Sequence, residues 1–349
     1  MPNRKPWSSS PRWSDSPLTV EVTRGDLIES LHRVSACAVD VRGRVLLSRG
    51  DVDVPVYLRS CAKPFIAATV VAAGAVERFG FTGPEIAVMA ASHYGEPFHI
   101  DAVRSILAKI GLNETALQCG PQLPFDEASS RAMIRSGTQP TAIYNNCSGK
   151  HAGILALSKI LGADTAGYLE LYHPAQQRIL AFCARVHGDD PSTWPIGIDG
   201  CGIPVYATSL RRGALAFARL ADPASYGIED DARALVIVAD AMRANPEFVS
   251  GTNQLDTVLM QSSADLVCKG GAEGVHGVGI VSRGIGYASK VLDGNGRARG
   301  PGTVAALRSL GALDDTAFAK LQSFGEPVVS NWAGRVVGAI RAGGFEGAA

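Results

Sequence analysis

This sequence has no excess of positive or negative charge and no long apolar segment. Its 33 Lys and Arg residues balance 33 Asp and Glu residues, and there is no basic cluster. The composition therefore gives no support to nucleic-acid or polyanion binding. The longest apolar run, near residues 65–76, is shorter than the roughly 20 residues that span a bilayer. We expect a soluble, cytoplasmic protein that binds small uncharged or zwitterionic molecules.

Secretion signals and disulfide patterns are also missing. Residues 1–17 are rich in Pro, Ser and charge and lack the apolar core of a signal peptide, so we expect a flexible tail there. The seven cysteines, an odd number, are scattered widely along the chain. This usage is typical of reduced thiols rather than of a disulfide framework, which agrees with a cytoplasmic location.

Internal repeats are absent, and the rest of the composition is ordinary. The chain has 349 residues, of which 46% are apolar and 19% are charged. That is enough apolar material for a large core, either in one domain or in two closely packed lobes.

The hydrophobic pattern predicts strands near both ends of the chain and helices between them. Alternation predicts N-terminal strands over residues 18–23, 34–41 and 44–47, and C-terminal strands over 264–268, 274–282, 286–292 and 335–342. Helices are expected over residues 84–91, 99–110, 127–136, 149–161, 174–186, 208–220, 228–243, 302–310 and 315–323. Short extended pieces are expected at residues 141–144 and 196–199.

This order of elements predicts an α+β fold with one antiparallel sheet assembled from the two termini. We expect residues 18–349 to form a single catalytic unit. Its sheet lobe would contain residues from about 18–83 and 264–349, and its helical lobe would contain residues from about 84–263.

Ser60 and Lys63 stand at the start of the apolar segment 65–76. Three residues apart at the mouth of a helix, they share a face, so the Lys63 amine can reach the Ser60 hydroxyl. Pro64 would sit in the first turn, where its missing N–H costs least. Apolar surroundings and the helix dipole would lower the pKa of Lys63, which a base near neutral pH requires. The pattern is typical of Ser-Lys acyl transfer.

Chance alone produces about one S-x-x-K pair in a chain of this length, and a capping Ser beside a surface Lys explains most of them. Two observations favour catalysis here. The chain has eight Lys against 25 Arg, so a Lys at this position suggests a need for an amine that can lose its proton. Ser60 and Lys63 also form the only S-x-x-K pair in the sequence.

Two further segments place reactive side chains at predicted helix ends. Ser92, in Ala91-Ser92-His93, follows an apolar helix and has a plain alternative as a capping residue. The segment Asn146-Cys147-Ser148-Gly149-Lys150-His151 puts a thiol, an amine and an imidazole at the start of a strong helix. His151 is therefore a candidate substrate-binding residue.

Two glycine-flanked segments complete the set of candidates. Asp199 and Cys201 lie in a loop where neighbouring glycines let the backbone approach a ligand closely. Lys269 lies in a Gly-flanked turn at a strand edge, where an ordinary turn lysine is the alternative. Cys147 and Cys201 could bind a soft divalent metal such as zinc, but the spacing of a site closed by four Cys or His ligands is absent. A buried, inert Cys is the commoner case.

In order along the chain, these segments resemble the motifs of the Rhizobium etli-type (class 3) L-asparaginases. The resemblance rests on Arg59-Ser60-Cys61-Ala62-Lys63-Pro64, Ala91-Ser92-His93, Asn146-Cys147-Ser148-Gly149-Lys150-His151, Asp199-Gly200-Cys201 and Cys268-Lys269-Gly270-Gly271. It runs from about residue 18 to the C-terminus. It implies hydrolysis of L-asparagine to aspartate and ammonia, a homodimer, and a fold like those of serine β-lactamases, penicillin-binding transpeptidases and glutaminases.

The resemblance also implies roles for individual residues. Ser60 would pair with Lys63, and Ser92 with Lys269, which gives two Ser-Lys tandems around one substrate. The zinc ligands would be Cys147, Lys150 and Cys201, leaving room for water at an open site. Cys61 departs from the family pattern, because a small apolar residue is usual between the nucleophile and its Lys.

Two binding roles come from the chemistry of a free amino acid. Asp199 is a candidate partner for the substrate α-ammonium, and Arg59 could orient Asp199 or bind the α-carboxylate. Alternatives that remain open are another Ser-Lys amidohydrolase, such as a glutaminase or a β-lactam or peptide hydrolase, and a non-catalytic zinc-bound ligand sensor. The preference for Asn over Gln depends on a single methylene, worth only about 1–3 kcal/mol.

Overall fold

The computed structural model describes residues 17–343. Within that range the strands are β1 Leu18–Arg24, β2 Leu27–Asp40, β3 Val45–Arg49, β4 Pro55–Tyr57, β5 Ile196–Ile198, β6 Pro204–Ser209, β7 Leu266–Gly270, β8 Val275–Ile280, β9 Ile285–Val291, β10 Val328–Ser330 and β11 Val336–Gly343. The predicted tail lies outside the described residues, apart from Pro17.

The helices of the described part are α1 Lys63–Ala72, α2 Ala75–Phe79, α3 Gly83–Met89, α4 Pro97–Lys109, α5 Glu127–Ser136, α6 Ser148–Ile160, α7 Pro174–His187, α8 Leu210–Ala221, α9 Glu229–Ala244, α10 Pro246–Val249, α11 Leu255–Ser262, α12 Arg299–Ser309, α13 Asp315–Lys320 and α14 Gln322–Gly325. A 3-10 helix, Arg59–Ala62, leads directly into α1. Among these helices there is none long and apolar enough to cross a membrane.

The main sheet joins the two ends of the chain. Its strand order is β10-β11-β1-β2-β9-β8-β7, with β3 also paired to β2, and neighbouring strands run antiparallel. The N-terminal strand β1 lies between β2 and the C-terminal strand β11. The prediction of one antiparallel sheet built from both termini in a mixed α and β fold is confirmed.

Helices cover both faces of this sheet. On one face α8 packs so closely against β9 that a Cβ at Gly286 would lie 1.9 Å from the Ala214 carbonyl oxygen. Glycine at that position therefore sets the distance between helix and sheet. On the opposite face α12 contacts β8, where Thr303 reaches His276.

Helix α1 lies at the centre of the helical part of the molecule. Its residues from Lys63 to Val71 are buried, and it packs against α3, α6, α7 and α9. Pro64 occupies its first turn, as the sequence predicts. Because α1 is buried on all sides, its one ionisable side chain, Lys63, is held inside the protein.

Several parts of the sequence-based assignment are wrong, and it also lacks strands β6 and β10 and helices α2 and α10. The extended piece expected over residues 141–144 is instead a 3-10 helix, Ala142–Tyr144. The helix expected from residue 208 begins at Leu210, because β6 continues to Ser209, whose side chain caps α8. Helix α11 has no counterpart among the predicted helices. It has only eight residues, too few for a helical period to stand out.

The division into a sheet lobe and a helical lobe stays a prediction.

Candidate active site

Lys63 is the buried centre of the site, only 1% exposed. Its Nζ donates to the Ala91 carbonyl oxygen at 2.6 Å and lies 2.9 Å from Ser92 Oγ, with the Asn146 carbonyl oxygen at 3.5 Å. These three partners are all neutral oxygens. Burial lowers the pKa of Lys63 to about 8. The amine can therefore lose its proton far more easily than an ordinary lysine.

Ser60 lies in the 3-10 helix just before α1, and its side chain is half-buried. The hydrogen bonds of Lys63 go to the loops at residues 91–92 and 146, and none in the described structure goes to Ser60. The long Lys63 side chain thus reaches across the helix start to Ser92. The expected Ser60–Lys63 hydrogen bond is replaced here by a Lys63–Ser92 bond.

Arg59 adopts a strained backbone conformation directly before Ser60, with φ of 51°. A left-handed conformation is uncommon for a residue with a side chain and costs about 1–3 kcal/mol. The Arg59 Nε donates to Asp199 Oδ1 at 2.9 Å, and Arg59 Nη2 lies 2.8 Å from the same oxygen in an ion pair. Burial opposes the charge of Asp199, but Lys150 and Arg59 outweigh it and hold the pKa of this carboxyl below its usual value.

The Ser92 loop is fixed by backbone and side-chain hydrogen bonds. The Ser92 N–H donates to the Val249 carbonyl oxygen at 3.0 Å, and the His93 N–H donates to the Asn146 carbonyl oxygen at 3.2 Å. His93 Nδ1 accepts the Gly95 N–H, so its Nε2 donates to Ser148 Oγ at 2.8 Å. Burial lowers the pKa of His93 well below its usual value, which keeps this ring neutral.

Cys147, Lys150 and Cys201 come together on the side of the site formed by α6 and the 199–204 loop. All three are buried, and Lys150 Nζ donates to Cys201 Sγ at 2.9 Å. A hydrogen bond from the Cys201 thiol, aided by the Lys150 and Lys63 charges, lowers the pKa of the Cys147 thiol despite its burial. Two thiols, one of them readily ionised, are ligands that suit zinc. Burial lowers the pKa of the Lys150 amine, but Cys147, Cys201 and Asp199 outweigh burial and hold that pKa above its usual value, so Lys150 would have to lose a proton before it bound a metal.

His151 lies deeper than a direct substrate contact requires. Its side chain is fully buried, and Nδ1 lies 2.7 Å from the Tyr168 hydroxyl oxygen. The pKa of His151 is lowered well below its usual value by burial, with Lys150 and Lys63 acting in the same direction. Its Nε2 is buried without a hydrogen-bond partner in the described structure. The substrate contact predicted for His151 stays a prediction.

Lys269 projects from β7 at the edge of the site. The Cys61 thiol donates to the Lys269 carbonyl oxygen at 3.0 Å, which joins the Ser60 segment to this strand. Lys269 Nζ donates to the Gly270 carbonyl oxygen at 2.7 Å and lies 3.6 Å from Asp256 Oδ2. The pairing of Ser92 with Lys269 that the resemblance implies is not a hydrogen bond in the described structure, where Lys269 Nζ donates to the Gly270 carbonyl oxygen.

Sequence reasoning missed Asp256 and the role of Cys61. Asp256 lies on the unpredicted helix α11, and an acid inside an otherwise apolar stretch was the signal that could have revealed it. Burial raises the pKa of the Cys61 thiol to about 12, so this side chain is an inert link rather than a second nucleophile.

The larger cavities lie away from these side chains. One of about 480 Å³ is bordered by α4 and α5, whereas the space bordered by Arg59, Lys63, Lys150 and Asp199 is about 20 Å³. We locate the site by its buried ionisable groups, because they supply the chemistry and the larger cavity lacks such a group of lysines and thiols.

Comparison with solved structures returns distant similarities. A crystal structure of Mglu in its native form in 4.3 M NaCl is 16% identical with a TM-score of 0.35, covering 81% of this chain and 62% of that one. A β-lactamase from Mycobacterium bovis is 14% identical with a TM-score of 0.38, covering 84% and 92%. A Bacillus glutaminase is 11% identical with a TM-score of 0.33, covering 83% and 89%.

The chain thus spans 62% of the length of the Mglu structure. No curated protein matches the sequence. The model of the L-asparaginase II family matches residues 20–342, which takes in every candidate side chain of the site. This protein therefore belongs to the L-asparaginase II family.

Proposed function

We propose that this protein is an L-asparaginase that hydrolyses L-asparagine to L-aspartate and ammonia through an acyl-enzyme on Ser60. Family membership supports amide hydrolysis, and the arrangement of Lys63 supports a serine nucleophile. The main support for this proposal is Lys63, which is fully buried, lies one turn from Ser60 and hydrogen-bonds to Ser92 and to two carbonyl oxygens.

In the first step neutral Lys63 takes the Ser60 proton while Ser60 Oγ attacks the side-chain amide carbon. The Ser60 N–H lies in the first turn of the 3-10 helix and is a candidate donor to the oxyanion. The C–N bond then breaks, and the Ser92 hydroxyl relays the proton from Lys63 to the departing nitrogen. Ammonia leaves, and a β-aspartyl ester remains on Ser60.

In the second step a water molecule attacks the ester carbon. Lys63, neutral again after the first step, accepts the proton of this water through Ser92. Breakage of the C–O bond returns that proton to Ser60 and releases L-aspartate. One amide and one water are consumed for each aspartate and ammonia formed, so both Ser60 and Lys63 end in their starting states.

Asp199 is the residue we assign to the substrate α-ammonium. A free amino acid needs a carboxylate partner, and Asp199 is ionised and only partly buried at the site. Arg59 contacts Asp199 directly, and we assign it to orienting that carboxylate. Substrate amides that lack an α-ammonium would lose this contact.

We assign the proposed zinc to Cys147, Lys150 and Cys201, whose buried sulfur and nitrogen atoms already lie together. When bound, zinc would act as a Lewis acid that organises the substrate end of the site. Because Ser60 supplies the nucleophile, a zinc hydroxide would be redundant. The homodimer and the cytoplasmic location stay predictions.

Ammonia release from L-asparagine and L-glutamine by the purified protein tests the proposal. We expect release from L-asparagine that falls to a few per cent or less in Ser60→Ala and is unchanged in Ser192→Ala, an exposed serine far along the chain. Activity that survives in Ser60→Ala would remove Ser60 as nucleophile. Greater ammonia release from L-glutamine would favour the glutaminase alternative. If neither amide released ammonia, another amide substrate or a ligand sensor would be favoured.

A further inference from the structure

A buried group of charges lies behind Lys269, outside the Ser60 and Ser92 chemistry. It consists of Asp256 on α11, Lys269 on β7, His276 on β8, and Thr303 and Arg299 on α12, and we call it the Asp256 network. Asp256, Lys269, His276 and Thr303 are each at most 3% exposed. Four separate elements thus meet at one carboxylate.

Asp256 uses both carboxylate oxygens. Oδ2 accepts the Gly270 N–H at 2.7 Å and lies 3.6 Å from Lys269 Nζ, while Oδ1 lies 3.0 Å from His276 Nε2. Arg299 Nη1 donates to the Gly271 carbonyl oxygen at 3.1 Å. A Cβ at Gly270 would lie 2.9 Å from Arg299 Nη1 and 3.2 Å from Asp256 Oδ1, so both side chains pack closely around this glycine.

His276 is a neutral hydrogen-bond partner of the Asp256 carboxylate. Burial lowers its pKa, although Asp256 acts in the opposite direction. Its Nδ1 lies 2.8 Å from Thr303 Oγ1, so the hydroxyl can donate to Nδ1 while Nε2 donates to Asp256. Burial disfavours the charge on Asp256, but Lys269 and His276 outweigh it and hold the pKa of this carboxyl well below its usual value.

A metal site is the other interpretation of these residues. Donor atoms of Asp256, Cys268 and His276 lie within 4.8 Å of one another. However, the Lys269 ammonium already lies beside Asp256 Oδ2, and the Cys268 thiol donates to the Asp256 carbonyl oxygen at 3.4 Å. A metal cation would have to displace or neutralise the lysine. The charges therefore fit an ion-pair network better than a metal cage.

The two lysines of the site have different surroundings. Lys63 Nζ hydrogen-bonds to three neutral oxygens and lies near the Cys147 thiol, whereas Lys269 has a carboxylate beside it. The backbone of the same strand is also tied to the nucleophile, because the Cys61 thiol donates to the Lys269 carbonyl oxygen. A displacement of Lys269 would thus be felt at Ser60.

We propose that Asp256 is a positioning residue that holds Lys269 in place, as a fixed cation at the edge of the Ser60 site. This role rests on the proposed amide hydrolysis, for which the family resemblance implies four catalytic side chains: Ser60, Lys63, Ser92 and Lys269. Asp256 acts through Lys269 and through the Gly270 N–H, and it does not touch the substrate. His276 and Thr303 fix the orientation of the carboxylate.

Asp256→Asn in the full-length protein tests the proposal, because the amide keeps the shape of the side chain and removes its charge. We expect kcat to fall at least about tenfold while KM changes by less than threefold, since we expect the Lys269 charge to act on the chemical step rather than on substrate binding. Asp231→Asn is the matched control. Asp231 is also buried and pairs with Arg185 at 2.8 Å, but it lies between α7 and α9. Its loss should lower Tm and leave kcat unchanged.

A double-mutant cycle with Lys269→Met separates positioning from simple stability. If Asp256 acts through Lys269, the double variant should have the same kcat as Lys269→Met alone. Its Tm should be no lower than that of Lys269→Met, because removal of both partners leaves no uncompensated charge between them. Multiplied losses of kcat, or a kcat for Asp256→Asn within twofold of wild type, would overturn the proposal.

The stability part of the cycle does not depend on knowing the substrate. If the wild-type protein releases ammonia from neither amide, the proposed function fails, but coupled Tm values would still support contact between Asp256 and Lys269. Strictly additive Tm losses would show that the two charges act separately. Should Asp256→Asn not fold, Lys269→Met and the double variant still test the proposal: equal kcat values would support it, and a lower kcat in the double variant would overturn it.

Discussion

Lys63 Nζ lies 2.9 Å from Ser92 Oγ, so the lysine predicted to serve Ser60 contacts the other serine of the site. The proposed mechanism therefore requires one buried amine, bonded here to Ser92 and not to Ser60, to serve two hydroxyl groups from different segments of the chain. This sharing changes what is expected of each residue when it is substituted.

Lys63→Met should abolish most of the activity. The substitution keeps the length of the side chain but removes the base. We therefore expect kcat to fall by about 10²- to 10⁴-fold. Lys109→Met is the control. Lys109 lies at the surface and pairs with Glu85 at 2.6 Å, away from the site. A Lys63→Met protein with near wild-type kcat in a steady-state ammonia assay would exclude Lys63 as the base.

Ser92→Ala should slow both chemical steps without removing the nucleophile. Loss of the relay hydroxyl is expected to lower kcat by about 10- to 100-fold. Mass spectrometry of the protein quenched with L-asparagine should still find the aspartyl adduct on the peptide that contains Ser60. An adduct on Ser92 in the wild-type protein would reverse the roles of the two serines.

Asp199→Asn should weaken substrate binding selectively. We expect KM for L-asparagine to rise about 10-fold or more, because the α-ammonium loses its charged partner. Succinamate, which lacks the α-ammonium, should be hydrolysed equally by both proteins. Asp53→Asn removes the exposed ion pair with Arg211 and serves as the control. An equal rise in KM for both substrates would contradict the assignment of Asp199.

Cys201→Ser should release the proposed zinc. Metal analysis of the purified wild-type protein is expected to give about one zinc per chain, and the variant should hold little, because a hydroxyl is a poor zinc ligand. Cys183→Ser should keep its zinc. Cys183 is equally buried, and burial raises the pKa of its thiol to about 12. Zinc content that is the same in all three proteins would place the metal elsewhere.

Buried histidines should make the folded protein sensitive to mild acid. Burial lowers the pKa of both His99 and His187 to about 4, against an ordinary value near 6.5. The unfolded chain therefore binds protons first as the pH falls. The contribution of these histidines to the free energy of unfolding should be fully present above about pH 6.5 and should decline as the pH falls towards 4. At pH 5.5 the loss should be about 1 kcal/mol for each histidine.

Denaturant unfolding at pH 7.5 and pH 5.5 measures this effect. His187→Gln should reduce the difference in unfolding free energy between the two pH values by about 1 kcal/mol, whatever it does to stability at pH 7.5. An unchanged difference would mean that His187 does not titrate between the folded and unfolded states.

Much of the fold and of the residue set was predictable from local pattern. The alternation of apolar residues near both termini correctly predicted the antiparallel sheet. The apolar run after Ser60 correctly predicted a buried helix with Pro64 in its first turn. The scarcity of lysine drew attention to Lys63, which is among the most buried large side chains of the described protein. These features depend on residue type and short spacing, which a sequence displays directly.

Short motifs identify the chemical groups of the site and the segments that carry them: two serines, three lysines and two thiols. Which of these groups become partners depends on how distant segments pack. Spacing of three residues predicted that Lys63 would reach Ser60, but the fold lays the 91–92 loop over the helix start, and the amine bonds Ser92 instead. Asp256 meets Lys269 only because α11 packs against β7. Such contacts depend on packing between segments that are far apart in the sequence, so a local sequence pattern does not reveal them. Burial at these contacts then changes the pKa values of the side chains.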